Sequence, residues 1–173
     1  MRQRQPAPSA ASAGAWRTRL RHAALAVRVL PGLAWDGQQR ALLAEMRRFC
    51  RQLPQRLQGP LDEALSALTP GRRAIATGNP DLIRQLADLT ALLERGSPLG
   101  LCLRRSLVRF HFLRRAGVPV VLHCGARLQD TPAPAARRLT GHAWLTLEGQ
   151  PYHEAAEDWR GFAVLLSHPD PSN

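Results

Sequence analysis

Apolar residues recur every three to four positions over the first 117 residues and then give way to strand-like alternation. Trp16, Leu20, Ala23, Ala24, Val27 and Leu30 form one helical stripe, which Pro31-Gly32 is expected to end. Leu42, Leu43, Met46, Phe49, Cys50 and Leu53 form a second, over about 38–57, where Pro54 should kink or stop the helix. A short helix over 61–68 stops at Pro70-Gly71. Asn79 then reads as an N-cap with Pro80 at the first helical position, opening a stripe through Leu82, Ile83, Leu86, Leu89, Leu92 and Leu93. A fifth helix carries Leu103, Leu107, Phe110 and Leu113 and closes at Ala116-Gly117, with Pro119 beyond. Its start has two solutions. Ser97-Pro98 is one, and Gly100, about a turn later, is the other.

Beyond residue 117, Val118–Leu122 is a β-branched run that reads as a strand to about Leu128. Residues 129–140 read as a loop, His142–Leu147 alternates as a strand, and Glu148-Gly149-Gln150-Pro151 reads as a hairpin turn. Tyr152–Ala155 is the expected return strand and Phe162–Leu166 a last one. Helices followed by strands predict an α+β fold, in which a helical N-terminal half precedes a small antiparallel sheet. Three regions are expected. Residues 1–15, rich in Pro, Ala, Ser and Gln, form a mobile tail, 16–78 a basic helical region, and 79–168 the domain that holds the chemistry.

Composition narrows the classes. The 45% hydrophobic content excludes a disordered chain, and three cysteines exclude a disulfide scaffold. All 24 basic residues are arginines. Residues 1–60 carry eleven of them against Asp36 and Glu45, a balance of +9, while the remainder stands at +2. Such helices suit nucleic acid, an acidic peptide or anionic lipid, or simply a solvated face. Without a helix-turn-helix, a zinc-finger pattern or stacking aromatics, nucleic acid is not the expected partner. The most apolar N-terminal run, Ala23–Trp35, is broken by Arg28 and Pro31, so no transmembrane segment is expected and the chain reads as cytoplasmic, with reduced thiols. Cys102, Cys124, His142 and His153 lack paired metal-ligand spacing, so neither metal nor cofactor is expected.

One order of residues carries chemistry: Cys102 near a helix start, His142 opening a strand, Glu154 across a tight turn. A thiol near a helix N-terminus and beside an imidazole is activated as a nucleophile. The imidazole takes its proton and returns it to a leaving amine. An acid on the other ring nitrogen fixes the tautomer. Strand parity across a turn at Gly149-Gln150 is taken to set Glu154 opposite His142. With a bulged return strand, Asp158 or Glu157 replaces it. Trp144 shares the face of His142 and either walls the site or fills the core. Cys50 reads as core, Cys124 as structural, and Gly125 as a bulge or close approach.

These residues stand in a context that resembles the lasso-peptide leader-peptidase family. The resemblance rests on Cys102-Leu103-Arg104-Arg105-Ser106-Leu107, Leu113-Arg114-Arg115-Ala116-Gly117, and Gly141-His142-Ala143-Trp144 with Glu148-Gly149, and covers about residues 82–166. It implies a transglutaminase-like, papain-related fold with the nucleophile helix packed on a small antiparallel sheet, and removal of the leader from a ribosomally made precursor peptide. It further implies Cys102 as nucleophile and His142 as base. Glu154 stands where the family has Asp. Arg105 recurs in the pattern and, with Trp144, is the candidate substrate-binding residue. The implied partners are the precursor, an asparagine-synthetase-like cyclase and, as residues 1–97 show no strand triplet for a winged helix, a separate leader-binding protein.

Overall fold

A computed structural model describes residues 25, 27–71, 78–130 and 137–169. The expected tail, 1–15, and most of the first stripe lie outside the described residues. Helix α1 (27–35) runs on through Pro31, contrary to expectation. A proline removes only its own donor, and the stop comes at Asp36. Its N–H donates to the Gly32 carbonyl at 2.8 Å, and its carboxylate accepts from the N–H groups of Gln38 and Gln39. That carboxylate caps α2 (Gly37–Arg56), which ends two residues after Pro54. Helices α3 (Leu61–Leu68) and α4 (Pro80–Leu93) fall where the stripes place them, and Asn79 caps α4 through Asp81 and Leu82. Helix α5 (Leu101–Arg115) begins at the later of its two possible starts, with Gly100 at the N-cap.

The sheet is antiparallel, in the order β3-β2-β1-β4. Strands β1 (Val121–Asp130) and β2 (Arg137–Leu147) pair along their whole length, out to Asp130 opposite Arg137. Residues 129–130 and 137–140, expected as loop, are thus strand, and 131–136 lie outside the described residues. Thr140 donating to Gln129 at 2.9 Å helps carry the ladder into this polar stretch.

The return strand differs more. Glu148 and Gly149 both have positive φ, 52° and 75°, and make a two-residue turn that sets Leu147 opposite Gln150. Pairing then stops: β3 is only Gln150–Pro151, His153 takes φ 53°, and the chain enters the short helix α6 (Ala156–Trp159). Only Thr146 and Leu147 of this edge of β2 are paired by β3, and α6 lies against β2 in place of a longer strand. Strand β4 (Ala163–His168) pairs with the other side of β1.

Helices α2–α5 and one sheet face share a single buried cluster that includes Met46, Phe49, Leu65, Ile83, Phe110, Leu122 and Leu145. Cys50 is fully buried within it. The cluster runs continuously across the boundary expected between residues 78 and 79. Alternation puts Leu122, Cys124, Ala143 and Leu145 on the face toward α5, and His123, Gly125, His142 and Trp144 on the other.

Candidate active site

Cys102 is the second residue of α5. The first helical hydrogen bond of α5 runs from the Arg104 N–H to the Gly100 carbonyl at 3.0 Å. The N–H groups of Leu101, Cys102 and Leu103 therefore point out of the helix end, with no carbonyl a turn back to receive them. Two side chains one turn further in hold this end in place. The buried Arg104 donates to the carbonyls of Leu99 at 2.6 Å and Ala91 at 3.0 Å, tying α4 and the connecting loop to α5. Ser106 Oγ donates to the Ala143 carbonyl at 2.8 Å. Since Ala143 follows His142, this bond pins α5 against the strand that carries the imidazole, with Cys102 one turn nearer the helix start on the same face.

Cys102 and His142 line one cavity of about 590 Å³, together with Arg105, Glu154 and Asp158. Leu25 and Arg28 from the N-terminal helical segment close one side. The imidazole packs against two rings that also touch each other. Trp144 stacks on it at 5.9 Å and 13°, and Phe162 lies at 5.2 Å. His142 Nε2 is buried without a hydrogen-bond partner, so the thiol is not bonded to it. Burial, then the charge of Arg105, hold the imidazole below its ordinary pKa, while Asp158 opposes them. The ring is therefore neutral at neutral pH, the form that accepts a proton.

The structure places Glu154 elsewhere than expected. After Pro151 the chain leaves the ladder and carries Glu154 to the α5 side of the sheet, against the arginines of that helix. There its carboxylate, 1% exposed, accepts from Arg105 at 2.7 Å and from Arg109 at 2.9 Å. Arg109, 3% exposed, also grips Asp88 with two bonds, at 2.6 and 2.7 Å. Burial pushes the Glu154 carboxyl up, and the two guanidinium groups oppose it. Both Glu154 oxygens are thus committed to arginines. The acid whose charge acts on His142 is Asp158, in α6, on the cavity wall.

Arg105 lines the cavity as a substrate-binding residue should, but one of its N–H groups is spent on Glu154. Trp144 does not line it. It is 3% exposed and backs the imidazole, with its indole over Gly125. A Cβ at residue 125 would stand 2.9 Å from that ring and 2.7 Å from the Ala163 carbonyl, and the β1–β4 pairing shifts register there. Gly125 is thus both the expected bulge and the expected close approach. The Asp88–Arg109–Glu154–Arg105 chain was not apparent from the sequence. Its one signal is an arginine and an aspartate lying beside the apolar stripes of α5 and α4.

Among the described residues no helix is long and apolar enough to cross a membrane. No curated protein and no solved structure matches the chain. A family profile described as the transglutaminase-like superfamily matches residues 46–167, from the middle of α2 to the end of β4. That match spans well over half of the sequence and takes in α3 to α6, the sheet and every residue of the cavity except Leu25 and Arg28. The chain belongs to the transglutaminase-like superfamily.

Proposed function

We propose that this protein is a cysteine endopeptidase that removes the leader from a lasso-type precursor peptide. The observation that carries this reading is that Cys102, in the first turn of α5, and the imidazole of His142 line the same cavity. In this mechanism Cys102 Sγ attacks the carbonyl carbon at the leader–core junction and its proton passes to His142. The N–H of Cys102, exposed at the helix end, donates to the oxyanion. His142 then protonates the leaving amine, which becomes the free N-terminus of the core, and water hydrolyses the thioester. Asp158 supports the imidazolium, the role first expected of Glu154. Arg105 borders the bound peptide. A separate leader-binding protein delivers the precursor, and an asparagine-synthetase-like cyclase consumes the core. The test is reconstitution of the full chain with precursor and leader binder. One new N-terminus, detected by mass spectrometry, is expected. An intact precursor with all components folded overturns the reading.

The assignment of Asp158 has its own signature. The acid limb of kcat/KM reports the imidazole of the free enzyme. Asp158→Asn removes a charge that raises the His142 pKa, so the limb should move to lower pH while the rate falls roughly 10- to 100-fold. Arg105→Gln removes a charge that lowers it, so the limb should move the other way. Two shifts of the same sign, or none, would remove Asp158 from the site.

A catalytically silent scaffold is the second reading. It is favoured by the unbonded His142 Nε2 and by the commitment of Glu154 to arginines. It requires that Cys102 show no enhanced reactivity.

A further inference from the structure

Cys124 has no part in the chemistry above, yet it faces the nucleophile helix. It lies opposite Ala143 on β1, on the sheet face shared with Leu122 and Leu166, and packs against the core that α5 covers. The Ala143 carbonyl is the atom to which Ser106 donates. Cys102 therefore stands one helical turn, about 6 Å along the axis, from Ser106. Cys124 stands one strand spacing, about 5 Å, from the residue that Ser106 grips. Both thiols are free and partly exposed, whereas Cys50 is fully buried.

We propose that Cys102 and Cys124 form a reversible intramolecular disulfide that switches off the nucleophile under oxidation by a peroxide. The proposal rests on the reading of Cys102 as the reactive thiol. In the first step the Cys102 thiolate attacks a peroxide oxygen. The O–O bond breaks, hydroxide leaves, and the sulfur becomes a sulfenic acid. In the second, Cys124 sulfur attacks Cys102 sulfur. The S–S bond forms, the S–O bond breaks, and the departing hydroxyl takes the Cys124 proton and leaves as water. The order follows from the surroundings. Burial first, and the charge on Cys102 second, hold the Cys124 thiol above its ordinary pKa, so Cys124 is the poorer first attacker. Closing the bridge brings the two Cα atoms to roughly 4.4–6.8 Å. The first turn of α5, whose N-cap Gly100 makes no side-chain bond, lies beyond the Ser106 anchor and is the part of the helix that makes that adjustment.

The experiment treats the reduced full-length protein with a small excess of hydrogen peroxide, blocks remaining thiols with a maleimide, and maps the peptides without reduction. Expected are a Cys102–Cys124 cross-linked peptide pair, maleimide on Cys50 after unfolding, and return of both thiols with dithiothreitol. Cys124→Ala and Cys124→Ser, two variants of similar volume, should both lose the cross-link and leave Cys102 irreversibly over-oxidised. A wild-type protein whose Cys102 over-oxidises while Cys124 stays a free thiol overturns the proposal, as does a bridge formed only between molecules. Thiol mapping needs no substrate. A missing bridge with intact leader release would sink this inference alone, and equal reactivity of all three thiols would sink the catalytic reading as well.

Discussion

Cys102→Ala is expected to lower the rate of leader release at least ~1000-fold with little change in stability. Loss of a covalent nucleophile removes the thioester route entirely, and only binding and oxyanion stabilisation remain. The thiol is small and only partly buried, at a helix end outside the buried core, so its removal opens no core cavity. Melting temperature measured beside the release rate separates the two effects. Release at the native rate by the folded variant would mean that another group carries the chemistry. His142→Ala should produce a comparable loss, because members of a nucleophile–base pair act as a unit.

Arg109→Met is expected to destabilise the protein by about 3–5 kcal/mol, among the largest losses available to a single substitution here. Arg109 is 3% exposed and stands between Glu154, at 1%, and Asp88, at 15%. The hydrophobic replacement fits the volume but leaves Glu154 with Arg105 alone and Asp88 with Arg84 alone, the first of these carboxylates almost fully desolvated. Its partners also shift the guanidinium firmly toward the charged form against the opposing pull of burial. Glu154→Gln should cost less, since Arg109 keeps its two bonds to Asp88 and the amide oxygen still accepts one bond. Urea denaturation of the three proteins gives the ranking, with the wild type most stable and Arg109→Met least. Equal stability of all three would mean that the buried chain of charges contributes nothing net. The same pair bears on the active site. Glu154→Gln should act on stability, and Asp158→Asn on the pH profile.

The helices were legible because their signals are local. Asn79-Pro80 opens α4, the 61–68 stripe is α3, and Gly100 resolved the start of α5. Cys102 and His142 could be picked out as candidates because a helix-start thiol and a strand-start imidazole are marked by local signals, and both line one cavity. Glu154 was misplaced by one residue of register. A two-residue turn pairs positions an odd number apart, as Leu147 and Gln150 are, so even a full return strand would set 142 and 154, an even separation, on opposite faces. The return strand failed for a tertiary reason. With Pro151 offering no N–H and His153 at positive φ, the chain leaves the sheet and winds into α6, which is how Asp158 reaches the cavity. The buried arginines were illegible because a charge beside an apolar stripe looks solvated until its partners, 21 and 45 residues away, are placed.

The most direct measurement is the alkylation rate of each cysteine by iodoacetamide near neutral pH in the wild type and in His142→Ala. The expected result is that Cys102 reacts at least ~10-fold faster than Cys50 and Cys124, and that the advantage disappears when the imidazole is removed. Equal rates at Cys102 with and without His142 would contradict the claim that this ring activates this sulfur.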